Sequence, residues 1–193
     1  MLILGSFPST ASLVAQQYYA HPQNQFWRIL GAVIEQPLKE MDYAPRIAAV
    51  QAAGIAIWDV FATCERARSL DSALRDTVPN PLARSQESAP APRRICFNGR
   101  MAARRIREVE AMGFGALVLP STNSANAGMS LGEKLARWRE ACAPDRSVKP
   151  QEQGAAHDES ALDPAAIFGE EFIAGAVRPV TERPGIVVEN DPA

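Results

Sequence analysis

Leu2-Ile3-Leu4-Gly5-Ser6-Phe7-Pro8-Ser9, running on to Tyr18-Tyr19-Ala20-His21-Pro22-Gln23-Asn24-Gln25-Phe26-Trp27, is the stretch on which the fold turns. The apolar run at its start reads as a buried strand of a parallel sheet. At its end Phe26, Ile29, Leu30, Val33 and Ile34 share one face of a helix. The connection between them is dense in Gly, Pro, Tyr, His and Asn, and open α/β sheets hold their ligands beside such connections, at the carboxyl ends of the strands. Because the strand starts almost at the first residue, it is expected to be short.

Outward from this stretch, strands and helices alternate. Pro37 and Pro45 bracket a connector, residues 46–53 read as a short helix stopping at Gly54, and 54–58 form an apolar second strand. Residues 61–71 have no clear period and read equally as a functional loop or an ordinary crossover. Pro79, Pro81, Pro90 and Pro92 make 77–92 a loop. A third strand at 94–97 leads to a helix whose apolar side is Ala102, Ile106 and Val109, and a fourth strand covers 114–119. Beyond the loop 120–128, Ser130 and Glu133 spell a capping box ahead of the stripe Leu131, Leu135, Trp138 and Cys142. The alternation predicts an α/β fold, a three-layer α/β/α sandwich with a small parallel sheet of about four strands.

Composition sets outer bounds. A chain of 193 residues, 47% hydrophobic, can bury one good core, and it contains no apolar run long enough to span a membrane. No secretory signal is read at its start. Cys64, Cys96 and Cys142 lie too far apart for a local zinc motif and suit a reduced, cytoplasmic protein. The net charge of −2 divides into +4 over residues 1–143 and −6 over 144–193. An arginine-rich body fits a polyanion partner. The segment 144–193, with six prolines, ten acidic residues and no period, is expected to be a disordered or loosely attached tail to a domain at 1–143.

If the strands are parallel, the loops after the first and fourth face each other across one cleft. On one side the first loop would contribute Tyr19, His21, Asn24, Phe26 and Trp27, whose aromatic members could hold a planar ring by stacking. Small residues and free backbone N–H groups ahead of a helix would supply a phosphate site on the other. Plainer roles exist for each: Asn24 as an N-cap, Phe26 and Trp27 as core, His21-Pro22 as a turn, and the second loop as a generic connection.

Gly5-Ser6-Phe7-Pro8-Ser9 followed by Tyr19-Ala20-His21-Pro22-Gln23-Asn24-Gln25-Phe26-Trp27 resembles the first motif of the uracil-DNA glycosylase superfamily. The second part is similar to its mismatch-specific uracil/thymine branch. Ser6-Phe7, with Ile57-Trp58-Asp59-Val60, Ser69-Leu70-Asp71, Phe97-Asn98-Gly99 and Leu119-Pro120-Ser121-Thr122, resembles the hypoxanthine-DNA glycosylase branch. The similarity runs from Leu2 to about Cys142.

The resemblance implies a monofunctional glycosylase of base excision repair that flips a deaminated base, hypoxanthine with uracil as a further candidate, out of the helix. It would then hydrolyse the N-glycosidic bond to leave an abasic site. It implies no metal and no cofactor, double- or single-stranded DNA as partner, and a monomer. The catalytic asparagine of the mismatch-specific branch falls on Phe7, so that role is vacant. Asn24 is the candidate to replace it, either positioning water or holding the base edge. Phe26 would stack on the base, with Gly5, Ser6, Phe7 and Pro8 lining the pocket floor and Tyr19 and His21 its wall. Ser9, Pro120, Ser121, Thr122, Asn123 and Asn126 would contact DNA. Ser124, Ala125 and Asn126 stand where relatives carry a leucine wedge, and the four-cysteine iron–sulfur arrangement of other branches is absent. The alternative is a catalytically silent relative that binds nucleic acid or a nucleotide.

Overall fold

The structure, a computed structural model, describes residues 1–66, 74–80 and 94–143. The expectations for 144–193 lie outside the described residues. Four strands, β1 (Leu2–Gly5), β2 (Ala56–Asp59), β5 (Ile95–Asn98) and β6 (Ala116–Leu119), form one parallel sheet in the order β2-β1-β5-β6. The strand beginning at Leu2 is central, and at four residues it matches the length of its neighbours.

Alternation along these strands makes the layers. Ile3, Ile57, Cys96 and Leu119 pack with residues of α2 (Phe26–Ile34), α3 (Tyr43–Ala52) and α5 (Leu131–Cys142). Leu2, Leu4, Ala56, Ile95 and Phe97 instead join Val60, Phe61, Ala102 and Val109. The last two belong to a 3-10 turn (Ala102–Arg105) and to α4 (Ile106–Ala111). Both faces are therefore covered, as parallel sheets require. Thus the expected three-layer α/β sandwich is present.

Four local expectations are corrected. A short helix, α1 (Thr10–Ala15), interrupts the connection read as loop, its N-terminus capped by the Ser9 hydroxyl, which accepts from the Ser12 N–H. It buries little, with Val14 82% exposed, so no apolar period announced it. Helix α3 starts at Tyr43, with Pro45 inside its first turn, where a missing N–H leaves no helical bond unmade. The stretch 61–71, read equally as functional loop or crossover, opens with β3 (Phe61–Arg66), and the loop read at 77–92 overlaps the end of β4 (Leu74–Pro79); the two strands form an antiparallel ribbon with two register breaks. Such a bulged ribbon lacks the strict alternation that marks a strand. The remainder of those stretches, 67–73 and 81–93, lies outside the described residues. Finally, the helix after β5 opens as the 3-10 turn before becoming α4.

Candidate active site

The chain leaves β1 toward β2 on one side of the sheet and leaves β5 toward β6 on the other. Between β1 and β5 lies the switch point, where their carboxyl ends open a crevice. A cavity of about 50 Å³ lies at this edge. Its walls include Gly5 through Ser9, Tyr18, Tyr19 and Asn24 from the first connection, Asp59 from β2, Asn98 from β5, and Ser121, Thr122 and Asn123 from the second loop.

The two loops are stitched together. The Gln25 N–H donates to the Thr122 carbonyl at 3.0 Å, and Lys134 Nζ, from the first turn of α5, donates to Gln25 Oε1 at 3.0 Å. Lys134 is 1% exposed, and burial pulls its pKa below the ordinary lysine value. Asn98 clamps the far side. Its Oδ1 accepts the Thr122 N–H and its Nδ2 donates to Thr122 Oγ1, both at 3.0 Å.

Asn24 has a fixed orientation. Its Oδ1 accepts the Phe26 N–H at 3.0 Å, satisfying one of the orphan donors that begin α2. An amide whose oxygen is so engaged presents its NH₂ as the remaining polar end, and Nδ2 has no partner among the described residues. The capping role and a cavity role thus use opposite ends of one group.

The ring expected to meet a base, Phe26, is fully buried beneath Tyr19. The two stack at 3.7 Å between centroids, while Trp27 and Trp138 meet Phe26 edge-on. Tyr19 is the ring on the cavity wall, held at φ +52, a left-handed conformation uncommon for a bulky residue. His21 does not line the cavity. Its Nδ1 accepts the Gln23 N–H at 3.2 Å and its carbonyl the Asn24 N–H, so it shapes the turn that delivers Asn24.

The second loop departs from expectation. Thr122 is wholly buried in its clamp with Asn98, so its side chain is not presented for a phosphate. The N–H groups of Asn123, Ala125 and Asn126 donate to Ser121 Oγ, Asn123 Oδ1 and the Asn123 carbonyl. The start of α5 is filled by its own capping box, Ser130 with Glu133. Three N–H groups of the expected cradle are thus engaged inside the loop itself. Pro120, Ser121, Asn123 and Asn126 instead line a larger groove of about 870 Å³ beside β6 and α5, where Arg100 and Arg137 supply positive charge. Ser121 and Asn123 belong to both groove and cavity.

Asp59, Asn98 and Tyr18 were not singled out from sequence as site residues. Asp59 is 7% exposed, and its carboxylate lies over Gly5: a Cβ there would be 2.2 Å from Asp59 Oδ1 and 2.8 Å from the Tyr19 hydroxyl. The absence of a side chain at Gly5 is what lets a residue of β2 reach across β1. Burial, reinforced by the Asp59 charge, pushes the Tyr18 phenol well above its usual range. The available signal was positional: Asp59 and Asn98 each end a buried parallel strand.

With this geometry in hand, comparison with known proteins is decisive. The family model of the uracil DNA glycosylase superfamily matches residues 1–144. The chain belongs to this superfamily. A protein of Methanosarcina acetivorans named hypoxanthine DNA glycosylase is 40% identical over 126 residues, which is 65% of this chain and 80% of that one. One of the same name from Methanosarcina barkeri is 35% identical over 141 residues, 73% of this chain and 89% of its own. A solution NMR structure of a candidate uracil DNA glycosylase from Methanosarcina acetivorans superposes with a TM-score of 0.65 at 38% identity, covering 72% of this chain and 89% of that one. Superfamily membership implies a DNA substrate carrying a damaged base. No helix among the described residues is long and apolar enough to cross a membrane.

Proposed function

We propose that this chain is a monofunctional DNA glycosylase of base excision repair that removes hypoxanthine, the deaminated form of adenine. The observation that carries the reading is the locked Asn24 amide. Adenine presents an amino donor at its 6-position, and deamination replaces it with an oxo acceptor. The NH₂ of Asn24, a half-buried residue on the cavity wall, would meet an acceptor favourably and an amino group with two opposed donors, and sites built on such hydrogen bonds discriminate strongly. The same donor stabilises negative charge on the oxo group as the base departs with the bonding electrons. Of the two roles open to Asn24, the geometry favours holding the base edge.

The names of the two Methanosarcina relatives support hypoxanthine as the base. Uracil also carries oxo groups and stays a secondary substrate in this reading. Tyr19 takes over the stacking role first given to Phe26, with Phe7, Ser6 and Pro8 forming the floor. The flipped nucleotide's strand follows the groove past Ser121, Asn123 and Asn126 between Arg100 and Arg137, in double- or single-stranded DNA. The cavity, at about 50 Å³, has room for only a few waters and must widen to admit a purine. The protein acts as a monomer in this reading, and the buried free thiol of Cys96 suits the cytoplasm.

Asn24→Asp tests the assignment, because it keeps the oxygen that caps α2 and removes the donor. The expected result is a melting temperature close to that of the wild type with single-turnover cleavage of an inosine oligonucleotide reduced at least about 10²-fold. Unimpaired cleavage would return Asn24 to a purely capping role. Salt-dependent DNA binding without an abasic product in the wild type would identify a silent relative.

A further inference from the structure

The glycosidic bond is broken by water, and water attacking a sugar carbon has to lose a proton. Asn24 cannot take it, because a neutral amide, whose oxygen here already accepts the Phe26 N–H, is far too weak a base to hold a proton. Among the described cavity walls one group carries an anionic acceptor: Asp59. Its carboxylate is placed by three features together. Asp59 ends β2 in register with Gly5 of β1, Gly5 has no side chain to exclude it, and its Oδ1 and the Tyr19 hydroxyl converge on the same point above Gly5. The backbone behind it is fixed as well, since Asn80 Nδ2 donates to the Asp59 carbonyl at 2.7 Å. Tyr18, on the same wall, feels its charge.

Resting on the glycosylase reading above, we infer that Asp59 is a catalytic residue, the general base that receives the proton of the attacking water. As the bond from C1′ to the base nitrogen breaks, the base leaves with the electron pair as an anion. The water oxygen bonds to C1′, and one water proton passes to the Asp59 carboxylate. That proton then moves to the departed base or to solvent, which restores the carboxylate and leaves free base and a 1′-hydroxyl. The cavity, at about 50 Å³, has room for such a water beside Asp59 before a base enters. This division of labour gives the motif whose usual asparagine position is occupied by Phe7 an acid from the neighbouring strand. Asn24 handles the leaving group and Asp59 the nucleophile.

The test uses the full chain and an inosine-containing oligonucleotide under single turnover. Asp59→Asn should lower the cleavage rate by about 10²–10⁴-fold, the usual contribution of a positioned base, while binding of the abasic product oligonucleotide changes by less than about threefold. In Asp59→Ala, added formate should restore part of the rate by refilling the carboxylate's place, and formate should not rescue Asn24→Asp. The inference is overturned if wild type cleaves and Asp59→Asn cleaves within about tenfold of it. It is equally overturned if both Asp59 variants lose product binding and thermal stability together and formate restores nothing. A wild type that leaves no abasic site refutes the glycosylase reading itself, a separable outcome.

Discussion

Gly5→Ala is a substitution of one methyl group whose consequence follows from two distances. The new Cβ would stand 2.2 Å from Asp59 Oδ1 and 2.8 Å from the Tyr19 hydroxyl, where ordinary contact begins at 3.4 Å. The β1/β2 ladder pairs Gly5 with Asp59 directly, so the strands cannot part to make room without losing their hydrogen bonds. The carboxylate must therefore swing away by about 1 Å or more, a misplacement worth on the order of 10²-fold in rate. Overpacking adds a stability cost of about 1–3 kcal/mol. Single-turnover cleavage of an inosine oligonucleotide, paired with a thermal melt and product binding, reads these effects separately. The expected variant is folded, binds DNA, and cleaves about a hundredfold more slowly. Cleavage within about threefold of wild type would refute the argument that Gly5 is required to seat Asp59 at the reacting centre.

Two further outcomes follow from the packing. Phe26→Ala should destabilise the fold by about 3–5 kcal/mol, as expected for emptying a fully buried aromatic site, whereas Tyr19→Ala should weaken product-analogue binding by about 1–3 kcal/mol with a smaller effect on the melt. The reverse pattern in denaturant and binding titrations would put the stacking ring back on Phe26. At the start of α5, hydrogen bonds from the Ser130 hydroxyl and N–H hold the Glu133 carboxyl below its ordinary value. Its contribution is complete above the unfolded-state value and lost as pH falls through the folded one. Ser130→Ala should cost about 1 kcal/mol at neutral pH and flatten the acid side of the stability profile, and an unchanged profile across a pH series of melts would count against the capping box.

What could be read from the chain follows from how local each determinant is. The four apolar strands of the sheet and the longer amphipathic helices announce themselves because period and apolar content are properties of neighbouring residues, and the Ser130/Glu133 box spans four positions. The ribbon of β3 and β4 escaped because register breaks erase its alternation, and α1 because it hides almost no apolar surface. Within the site, Asn24, Tyr19 and the Gly5 loop were legible from one contiguous motif. Phe26 was placed one layer too high, since sequence distinguishes a ring near a cavity from a ring facing it only through the fold.

By itself the sequence determined the layered parallel sheet, the two connections at its carboxyl edge and the superfamily, all of which depend on short-range pattern and motif order. Only the tertiary structure decided which end of Asn24 is free, that Tyr19 covers Phe26, that the second loop engages the N–H groups of Asn123, Ala125 and Asn126 within itself, and that Asp59 crosses Gly5 into the crevice. Each of these depends on a contact between residues distant in the chain or on a competition for one hydrogen-bonding atom. Such outcomes are set by packing, where a missing Cβ on one strand determines what its neighbour can reach.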